Sequence, residues 1–304
     1  MIKKGTHNYI PNSKNDNIII FINGNFYHRS NAMISVFDSG FLLGDGVWEG
    51  IRLFNQKFVF LKDHLDRLYF GAKKLSIEIG YNKNELEGFL YKTIHKNNMK
   101  TDIHVRLIVS RGLKNTPYQH PNANIGNSTI VIIPEYKKTD TTKEGINLVT
   151  VSTIRGTQNS QDPRLNTLSK INCISACIEA DNAGADEGIM LDINNNVATC
   201  NSTNFFIIHK NEIWTSTGQY CLPGITRKAI IAIAKENDIP IFEKNFTMKD
   251  VDKAQEAFVT GTFSGIIPVL TINNNIISNS KPGEITKYLQ KLYYNKLKLL
   301  YPNQ

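Results

Sequence analysis

Residues 166–206 constrain the fold of this chain more than any other stretch. Lys170 stands near its beginning, and three isoleucines follow at helical spacing: Ile171, Ile174 and Ile178. This spacing predicts an amphipathic helix that opens at Lys170 and buries one apolar stripe. Gly184 lies where a helix C-terminus favours a residue with positive φ, so the helix is expected to end there.

The second half of this stretch predicts a β-hairpin. Residues 188–191 are apolar, and residues 197–206 can return as the partner strand. The asparagines at 194–196 suit the turn between them, because asparagine tolerates the left-handed backbone conformation. The hairpin is therefore expected to bring the polar run 199–204 close to Lys170.

Size and composition favour a globular protein of one large or two ordinary domains. The chain has 304 residues, and its apolar content of 41% is typical of a globular core. No apolar run reaches the roughly 18 residues that a membrane span needs, and the N-terminal segment has no apolar core after its lysines. These features predict a cytoplasmic protein without membrane contacts.

The charge and the cysteines indicate neither a nucleic-acid partner nor a metal. The formal charge is +8, but the lysines are spread along the chain, and their densest group, 287–298, belongs to an amphipathic helix. Cys173 and Cys177 lie one helical turn apart without a CxxC motif or paired histidines. Reduced, buried thiols explain the four cysteines as well as a metal site does.

The first half of the chain alternates strand and helix signals. An apolar strand at 18–22 is followed by Asn23-Gly24, a strong hairpin signal. The glycines between 36 and 52 predict a sharply bent loop. Helices are expected over 62–75 and 84–97, and strands over 50–54, 104–110 and 129–134. In the strand 104–110, Arg106 points to the same side as His104 and Ile108.

A change of composition near residue 140 predicts a domain boundary. Residues 135–144 have no apolar period and resemble a linker, so we expect domains at 1–139 and 140–304. The second half is predicted to contain further strands over 146–151, 213–215, 256–262 and 267–270, and helices over 226–237 and 283–300.

Six motifs carry a resemblance to a known family. They are, in order, FDSGFLLGDGVWEGIRLF, HLDRL, SKIN with GADEGIMLD, NSTNFF, CLPGITRKAII and AFVTGTFSGIIPV. This succession resembles the class IV pyridoxal-phosphate (PLP) aminotransferases of fold-type IV, which include branched-chain amino acid aminotransferases, D-amino acid aminotransferases and aminodeoxychorismate lyase. The match runs from about Ile18 to Ile277.

The resemblance implies an α+β protein of two domains that binds PLP between them. The N-terminal domain would be a smaller α/β sandwich-like domain, and the C-terminal domain a larger pseudo-barrel. A homodimer would complete the site. All of these features are expectations from the family.

Four residues match the family's ligands of the PLP phosphate. Arg67, in the HLDRL motif, would form paired, charge-assisted hydrogen bonds with the phosphate. Ile225 and Thr226 would offer backbone amides at a helix N-terminus, and Thr262 would add a hydroxyl.

Lys170 is the candidate for the Schiff-base lysine, since it is the only lysine between Lys143 and Lys210. Near a cationic, partly desolvated cofactor its amine loses a proton more readily and can attack the aldehyde. The commonest family spacing, counted without gaps, puts the lysine at Asn166 instead. If the segment is helical, Lys170 faces the same side as Asn166, one turn later.

Thr199 stands where most members have the glutamate that pairs with the pyridine nitrogen. A carboxylate keeps that nitrogen protonated, and the protonated ring is the electron sink of the cofactor. A threonine hydroxyl can only hydrogen-bond to the ring. We therefore expect Thr199 and Asn201 at the cofactor, with transamination less favoured relative to elimination.

The substrate is indicated only weakly. D-amino acid enzymes carry an Arg-x-His pair where this chain has Thr116 and Tyr118. Arg106 matches an inward arginine of the branched-chain type. The residues expected to contact the substrate are Phe41, Arg106, Thr262 and Phe263, while Phe41 and Trp48 are equally compatible with an ordinary core.

The resulting hypothesis is a homodimeric PLP enzyme that transfers an amino group from an apolar L-amino acid to a 2-oxo acid, with Lys170 as catalytic base and acid. Two alternatives stay open. One is a PLP-dependent lyase or racemase acting on an amino acid, and the other is a PLP-binding protein without catalysis.

Overall fold

The computed structural model describes residues 11–137 and 144–302, which form two compact units. The unit called N-terminal here contains residues 11–137, 165–170 and 301–302, and the C-terminal unit contains 144–164 and 171–300. Lys170 therefore belongs to the N-terminal unit. Most of the predicted linker lies outside the described residues, and the domain limits 1–139 and 140–304 stay a prediction.

The strands of the N-terminal unit are β1 (Ile19–Ile22), β2 (Asn25–His28), β3 (Gly46–Phe54), β4 (Lys57–Phe58), β5 (Ile103–Ser110), β6 (Leu113–Lys114), β7 (Asn124–Ile125) and β8 (Thr129–Tyr136). Six of them form an antiparallel sheet with the order β2-β1-β8-β5-β3-β4, and β6 pairs with β7 in a separate two-stranded sheet. Its helices are α1 (Ser39–Leu43), α2 (Leu61–Lys74) and α3 (Lys83–Lys96). The core lies between α2, α3 and the sheet, because every second residue of β3 and β5 is buried.

The hairpin at Asn23-Gly24 is confirmed. Both turn residues have positive φ, 46° and 91°, as the two-residue turn between right-twisted strands requires. Arg106 also shares the less buried face of β5 with His104 and Ile108, as predicted.

The bent glycine loop predicted at 36–52 is wrong, because this segment forms α1 and most of β3. Two of its glycines allow close approach within the sheet. A Cβ at Gly46 would lie 2.5 Å from Leu168 Cδ1, and one at Gly50 would lie 2.8 Å from His104 Nε2. The sequence shows such glycines but not the neighbours that require them.

The C-terminal unit contains a nine-stranded mixed sheet that curls into a half-barrel. Its strands are β9 (Ile146–Thr150), β10 (Glu187–Leu191), β11 (Val197–Cys200), β12 (Asn204–His209), β13 (Glu212–Thr215), β14 (Ile241–Glu243), β15 (Glu256–Gly261), β16 (Gly265–Ile272) and β17 (Asn275–Ile276). Its helices are α4 (Gln158–Gln161), α5 (Ile171–Asn182), α6 (Ile225–Glu236), α7 (Met248–Val251) and α8 (Glu284–Leu300). The strand order is β11-β10-β9-β16-β15-β12-β13-β14, with β17 on β16.

The predicted return strand 197–206 is divided in two. β11 pairs with β10, whereas β12 pairs with β13 and β15 elsewhere in the same sheet. Residues 201–203 form the bend between them. The short polar side chains that the sequence showed at this point thus connect two parts of one sheet.

The apolar stripe predicted for α5 is also different from the one observed. Ile171, Ile174 and Ile178 are 67%, 50% and 56% exposed, and Ala176 and Ala180 are buried instead. The small alanines allow α5 to lie close to β10, where a Cβ at Gly188 would be 3.1 Å from the Ala176 carbonyl oxygen. In the described part of the chain, no helix has the length and apolar character needed to cross a membrane.

Candidate active site

Arg67 is fixed by a buried carboxylate on β3. Its Nε and Nη2 donate to the two carboxylate oxygens of Glu49 at 2.8 and 2.7 Å, and His64 Nδ1 donates to the same carboxylate at 2.6 Å. Glu49 is fully buried and the Arg67 side chain is 11% exposed. A two-pronged ion pair of this kind fixes the plane of the guanidinium as well as its position.

The ionisation of this cluster follows from burial and charge. Burial alone raises the pKa of Glu49, but the charge and hydrogen bonds of Arg67, with those of His64, bring it below its ordinary value. Burial lowers the pKa of His64 despite its bond to Glu49, so the imidazole is neutral. The cluster therefore contains one cation and one anion, with His64 donating from Nδ1.

Lys170 lies in a non-helical segment beside β3, directly before α5. The predicted helix does begin directly after Lys170, but Asn166 lies outside it, because residues 165–169 run along the edge of β3 and Thr167 forms a β-bridge with Val47. The two residues nevertheless meet. Lys170 Nζ donates to Asn166 Oδ1 at 3.1 Å.

Trp48 connects this segment to the exposed face of the sheet. Lys170 Nζ lies 5.6 Å from the centre of its indole ring, and the Arg106 guanidinium carbon lies 4.1 Å from it. Both distances are typical of cation–π contacts. Phe41, on α1, is 67% exposed and does not belong to the core of this unit.

In the C-terminal unit, Thr199 and Asn201 are held by the bend that joins β11 to β12. Thr199 Oγ1 donates to the carbonyl oxygen of Thr203 at 2.7 Å. Asn201 pairs with Gly188, donating its backbone N–H at 3.0 Å and accepting the Gly188 N–H on Oδ1 at 2.7 Å. The single hydroxyl proton of Thr199 is thus already used within the chain.

Glu187 is a buried carboxylate that the sequence reasoning did not single out. It accepts hydrogen bonds from Ser202 Oγ at 2.5 Å and Thr203 Oγ1 at 2.7 Å. Burial raises the pKa of Glu187 to about 7, although both hydroxyls act in the opposite direction. A charged residue at the start of an otherwise apolar strand was the available signal, since such a residue needs polar partners inside.

Asn204 connects this bend to the start of α6. Its Nδ2 donates to the Leu222 carbonyl oxygen at 3.1 Å, and it lies opposite Thr260 in the pairing of β12 with β15. Helix α6 begins at Ile225 after Gly224, which provides no side-chain cap. Its first backbone N–H groups, those of Ile225 and Thr226 among them, have no acceptor within the helix, and the N-cap residue gives them none from a side chain.

The turn between β15 and β16 lies next to the same bend. A Cβ at Gly261 would be 3.6 Å from Thr203 Cγ2 and 3.7 Å from Ser264 Oγ. Thr260 Oγ1 and Ser264 Oγ are buried and have no hydrogen-bond partner among the described residues. Thr262 is half-buried and Phe263 is 4% exposed.

The C-terminal unit therefore gathers six of the predicted site residues around one bend, one turn and one helix start: Thr199, Asn201, Ile225, Thr226, Thr262 and Phe263. The N-terminal unit carries the other four: Phe41, Arg67, Arg106 and Lys170. Glu49, Glu187 and Asn204 are the supporting residues that the sequence analysis did not assign. No group of three or more histidine, cysteine or acidic side chains suited to a metal occurs within residues 11–137 and 144–302.

Comparison with protein families gives a match over residues 46–272 to the model described as amino-transferase class IV. A putative branched-chain-amino-acid aminotransferase of Methanocaldococcus jannaschii is 37% identical over 275 residues, which are 90% of this chain and 94% of that protein. A D-alanine aminotransferase of Listeria monocytogenes is 31% identical over 284 residues, covering 91% and 96%.

Two branched-chain-amino-acid aminotransferase-like proteins of Arabidopsis thaliana are 33% identical over 93% of this chain, but the chain spans only 51% of their length. Among solved structures, the branched-chain aminotransferase of Thermoproteus uzoniensis, crystallised with norvaline, matches with a TM-score of 0.85 and 26% identity over 94% of this chain and 96% of that one. The α+β fold class expected from the sequence is confirmed by this likeness.

Proposed function

Because this chain belongs to the class IV aminotransferase family, we propose that it is a PLP-dependent enzyme that transfers an amino group between an amino acid and a 2-oxo acid. The observation that carries the proposal is the start of α6 without a side-chain cap, together with the polar bend and turn of the same unit, which suit an anion. The proposed donor is an apolar L-amino acid.

The residues present fit the phosphate of this cofactor. Helix α6 begins without a side-chain cap, and helix N-termini bind phosphates through exposed backbone amides and the helix dipole. The buried, unpartnered hydroxyl of Thr260 costs roughly 1–3 kcal/mol as it stands, which a ligand oxygen would recover. We assign the phosphate to Ile225, Thr226 and Thr262, and to Arg67 as oriented by Glu49.

When bound, PLP supplies an aldehyde that takes up the amino group and a ring that draws electrons from the substrate Cα. We assign the covalent link to Lys170, whose amine would also move the proton from the substrate Cα to the C4′ carbon of the cofactor. We assign the substrate α-carboxylate to the backbone amides near Thr262 and Phe263, and a further substrate contact to Arg106. Thr199 and Asn201 border the ring.

Reduction with borohydride followed by peptide mapping tests the assignment directly. The protein is mixed with PLP and reduced, and the labelled peptide is expected to contain Lys170. A label on any other lysine, or no label at all, would reject the assignment. A companion assay with leucine and 2-oxoglutarate is expected to produce glutamate.

A second candidate, a PLP-dependent lyase or racemase, is favoured by one specific observation. Thr199 stands where most members of the family have a glutamate, and its hydroxyl proton is donated to the Thr203 carbonyl oxygen. A site without a carboxylate at the ring nitrogen stabilises the electron-rich ring less, which disfavours transamination. Ammonia released from serine without any 2-oxo acid would support the lyase, and altered chirality without ammonia would support the racemase.

We also propose a homodimer in the cytosol. The N-terminal unit exposes a group of apolar side chains that a second copy would cover: Met33, Ile34, Val36, Phe37, Phe41 and Leu43. The four cysteines are unpaired, which is typical of a reducing compartment. Light scattering after size exclusion is expected to give twice the chain mass of 34.3 kDa.

A further inference from the structure

We infer that Asn166 is a positioning residue that holds the Lys170 amine through its side-chain carbonyl. The inference rests on the proposed function, because the amine matters only if Lys170 forms the covalent link. It adds a residue that acts on the amine without touching the substrate. Asn166, Trp48 and Lys170 all belong to the N-terminal unit.

Asn166 is fixed at three points. Its Nδ2 donates to the Trp48 carbonyl oxygen at 2.6 Å, its own carbonyl oxygen accepts the Trp48 N–H at 3.0 Å, and its Oδ1 accepts from Lys170 Nζ at 3.1 Å. The residue is only 6% exposed. A buried amide with both ends bonded cannot rotate without losing these bonds.

The orientation of the Asn166 amide has a single solution. Turning it over would place Oδ1 against the Trp48 carbonyl oxygen and Nδ2 against the Lys170 amine. The first contact would join two acceptors, and the second would join two donors as long as the amine is an ammonium. The chain therefore presents a carbonyl oxygen to Lys170 and never an amide N–H.

A carbonyl acceptor has two effects on the lysine amine. It stabilises the ammonium form by a charge-assisted hydrogen bond. In the neutral form it accepts one N–H, and the nitrogen lone pair then points away from Asn166. The same contact thus stabilises the ammonium form of the amine and orients the nitrogen lone pair once the proton has left.

The Trp48 ring is a second neighbour of the Lys170 amine. The Trp48 ring lies 5.6 Å from Nζ, and the other cation on this ring is Arg106. The indole attracts a positive charge without directing an N–H bond, whereas the Asn166 carbonyl directs one.

The test measures the reactivity of the Lys170 amine in the full-length protein without added PLP. Trace acetylation with acetic anhydride at a series of pH values, followed by peptide mass spectrometry, gives the pH midpoint of labelling. In Asn166→Ala the midpoint is expected to fall by at least about half a pH unit, because a charge-assisted bond to the ammonium is lost. In Asn166→Asp the midpoint is expected to rise, because a carboxylate replaces the carbonyl.

Thr167→Val is the matched control. It removes a side-chain hydroxyl from the same segment, where Thr167 Oγ1 donates to the Ser169 carbonyl oxygen at 3.3 Å, and it leaves the Asn166 bonds in place. Its labelling midpoint is expected to equal that of the unchanged protein. Opposite shifts in the alanine and aspartate variants cannot come from a general loosening of the segment.

Unchanged midpoints in both Asn166 variants, or equal shifts in all three variants, would overturn the inference. If the proposed function fails instead, the unchanged protein gives no pyridoxyl label on Lys170 after borohydride reduction, but the acetylation midpoints of the Asn166 variants still shift. With PLP present, Asn166→Ala is expected to lower the fraction of Lys170 that borohydride traps, and Thr167→Val is expected to leave that fraction unchanged.

Discussion

Replacing Glu187 by glutamine is expected to change how the stability of the C-terminal unit depends on pH. Glu187 is 1% exposed, and burial raises its pKa from 4.5 to about 7. Between these values the folded chain holds a proton that the unfolded chain has lost. The free energy of unfolding therefore falls as the pH rises through this window, and it is highest below 4.5.

The size of the effect follows from the shift. A difference of 2.5 between 4.5 and 7, at about 1.4 kcal/mol per pH unit, gives roughly 3 kcal/mol. Glutamine imitates the protonated carboxyl, since it still accepts one hydroxyl bond and donates to the other. Relative to the unchanged protein, Glu187→Gln is thus expected to be near neutral at pH 5 and more stable by up to about 3 kcal/mol at pH 8.

The assay can report on the C-terminal unit alone. The chain has two tryptophans, Trp48 in the N-terminal unit and Trp214 in the C-terminal unit. In a Trp48→Phe background, Trp214 fluorescence during urea unfolding at pH 5, 6, 7 and 8 gives the free energy of unfolding. The quantity to compare is the difference between the glutamate and glutamine forms at each pH.

Glu179→Gln is the control, because the pKa of the Glu179 carboxyl is shifted in the opposite direction to that of Glu187. Hydrogen bonds from Thr153 and Ser152 lower the pKa of Glu179 to about 2, so its contribution is lost only as the pH falls below 4.5. Between pH 5 and 8 its difference from the unchanged protein is expected to be constant. A flat difference for Glu187→Gln over the same range would refute the reasoning about Glu187.

Three further predictions concern the scaffold of the site. Glu49→Gln removes the charge that fixes the Arg67 guanidinium and is expected to weaken PLP binding at least about tenfold in an absorbance titration. An unchanged affinity would contradict this role of Glu49. Asn204→Ala leaves a buried carbonyl unpaired and is expected to cost about 1–3 kcal/mol in urea unfolding, whereas a cost near zero would show that water replaces the amide. Gly46→Ala is expected to destabilise the protein by about 1–3 kcal/mol through overpacking, whereas Gly88→Ala, which has open space around it in α3, is expected to stabilise it by about 0.5–1 kcal/mol. Thermal unfolding measures both changes in stability, and changes of the same sign would refute the packing argument.

Local signals in the sequence were enough for most helices and strands. Asn23-Gly24 made a turn because its two residues tolerate positive φ, and the apolar spacing of 62–75 gave α2 within a residue of each end. The order of six motifs was enough for the fold, since each motif belongs to a particular strand end or helix start of the family. These features depend on neighbours in the chain, which the sequence displays directly.

The sequence was misleading where contacts with residues far away in the chain determine the packing or pairing of an element. The isoleucines of α5 have helical spacing, but β10 accepts only the alanines, because Gly188 brings that strand close to the helix. Residues 197–206 look like one strand, yet the sheet needs the chain to bend at 201–203 so that β12 can pair with β15. Periodicity describes one element and carries no information on the surface it meets.

By itself, the sequence determined the family, the α+β fold and the identity of the polar residues that gather at the site. Only the tertiary structure decided that Glu49 holds Arg67, that Glu187 lies beneath the bend after Thr199, and that the Asn166 carbonyl faces Lys170 from a non-helical segment. The physical reason is that these hydrogen bonds join residues whose approach depends on the packing of whole strands. Burial then sets the charge of each group, and burial is a property of the folded chain.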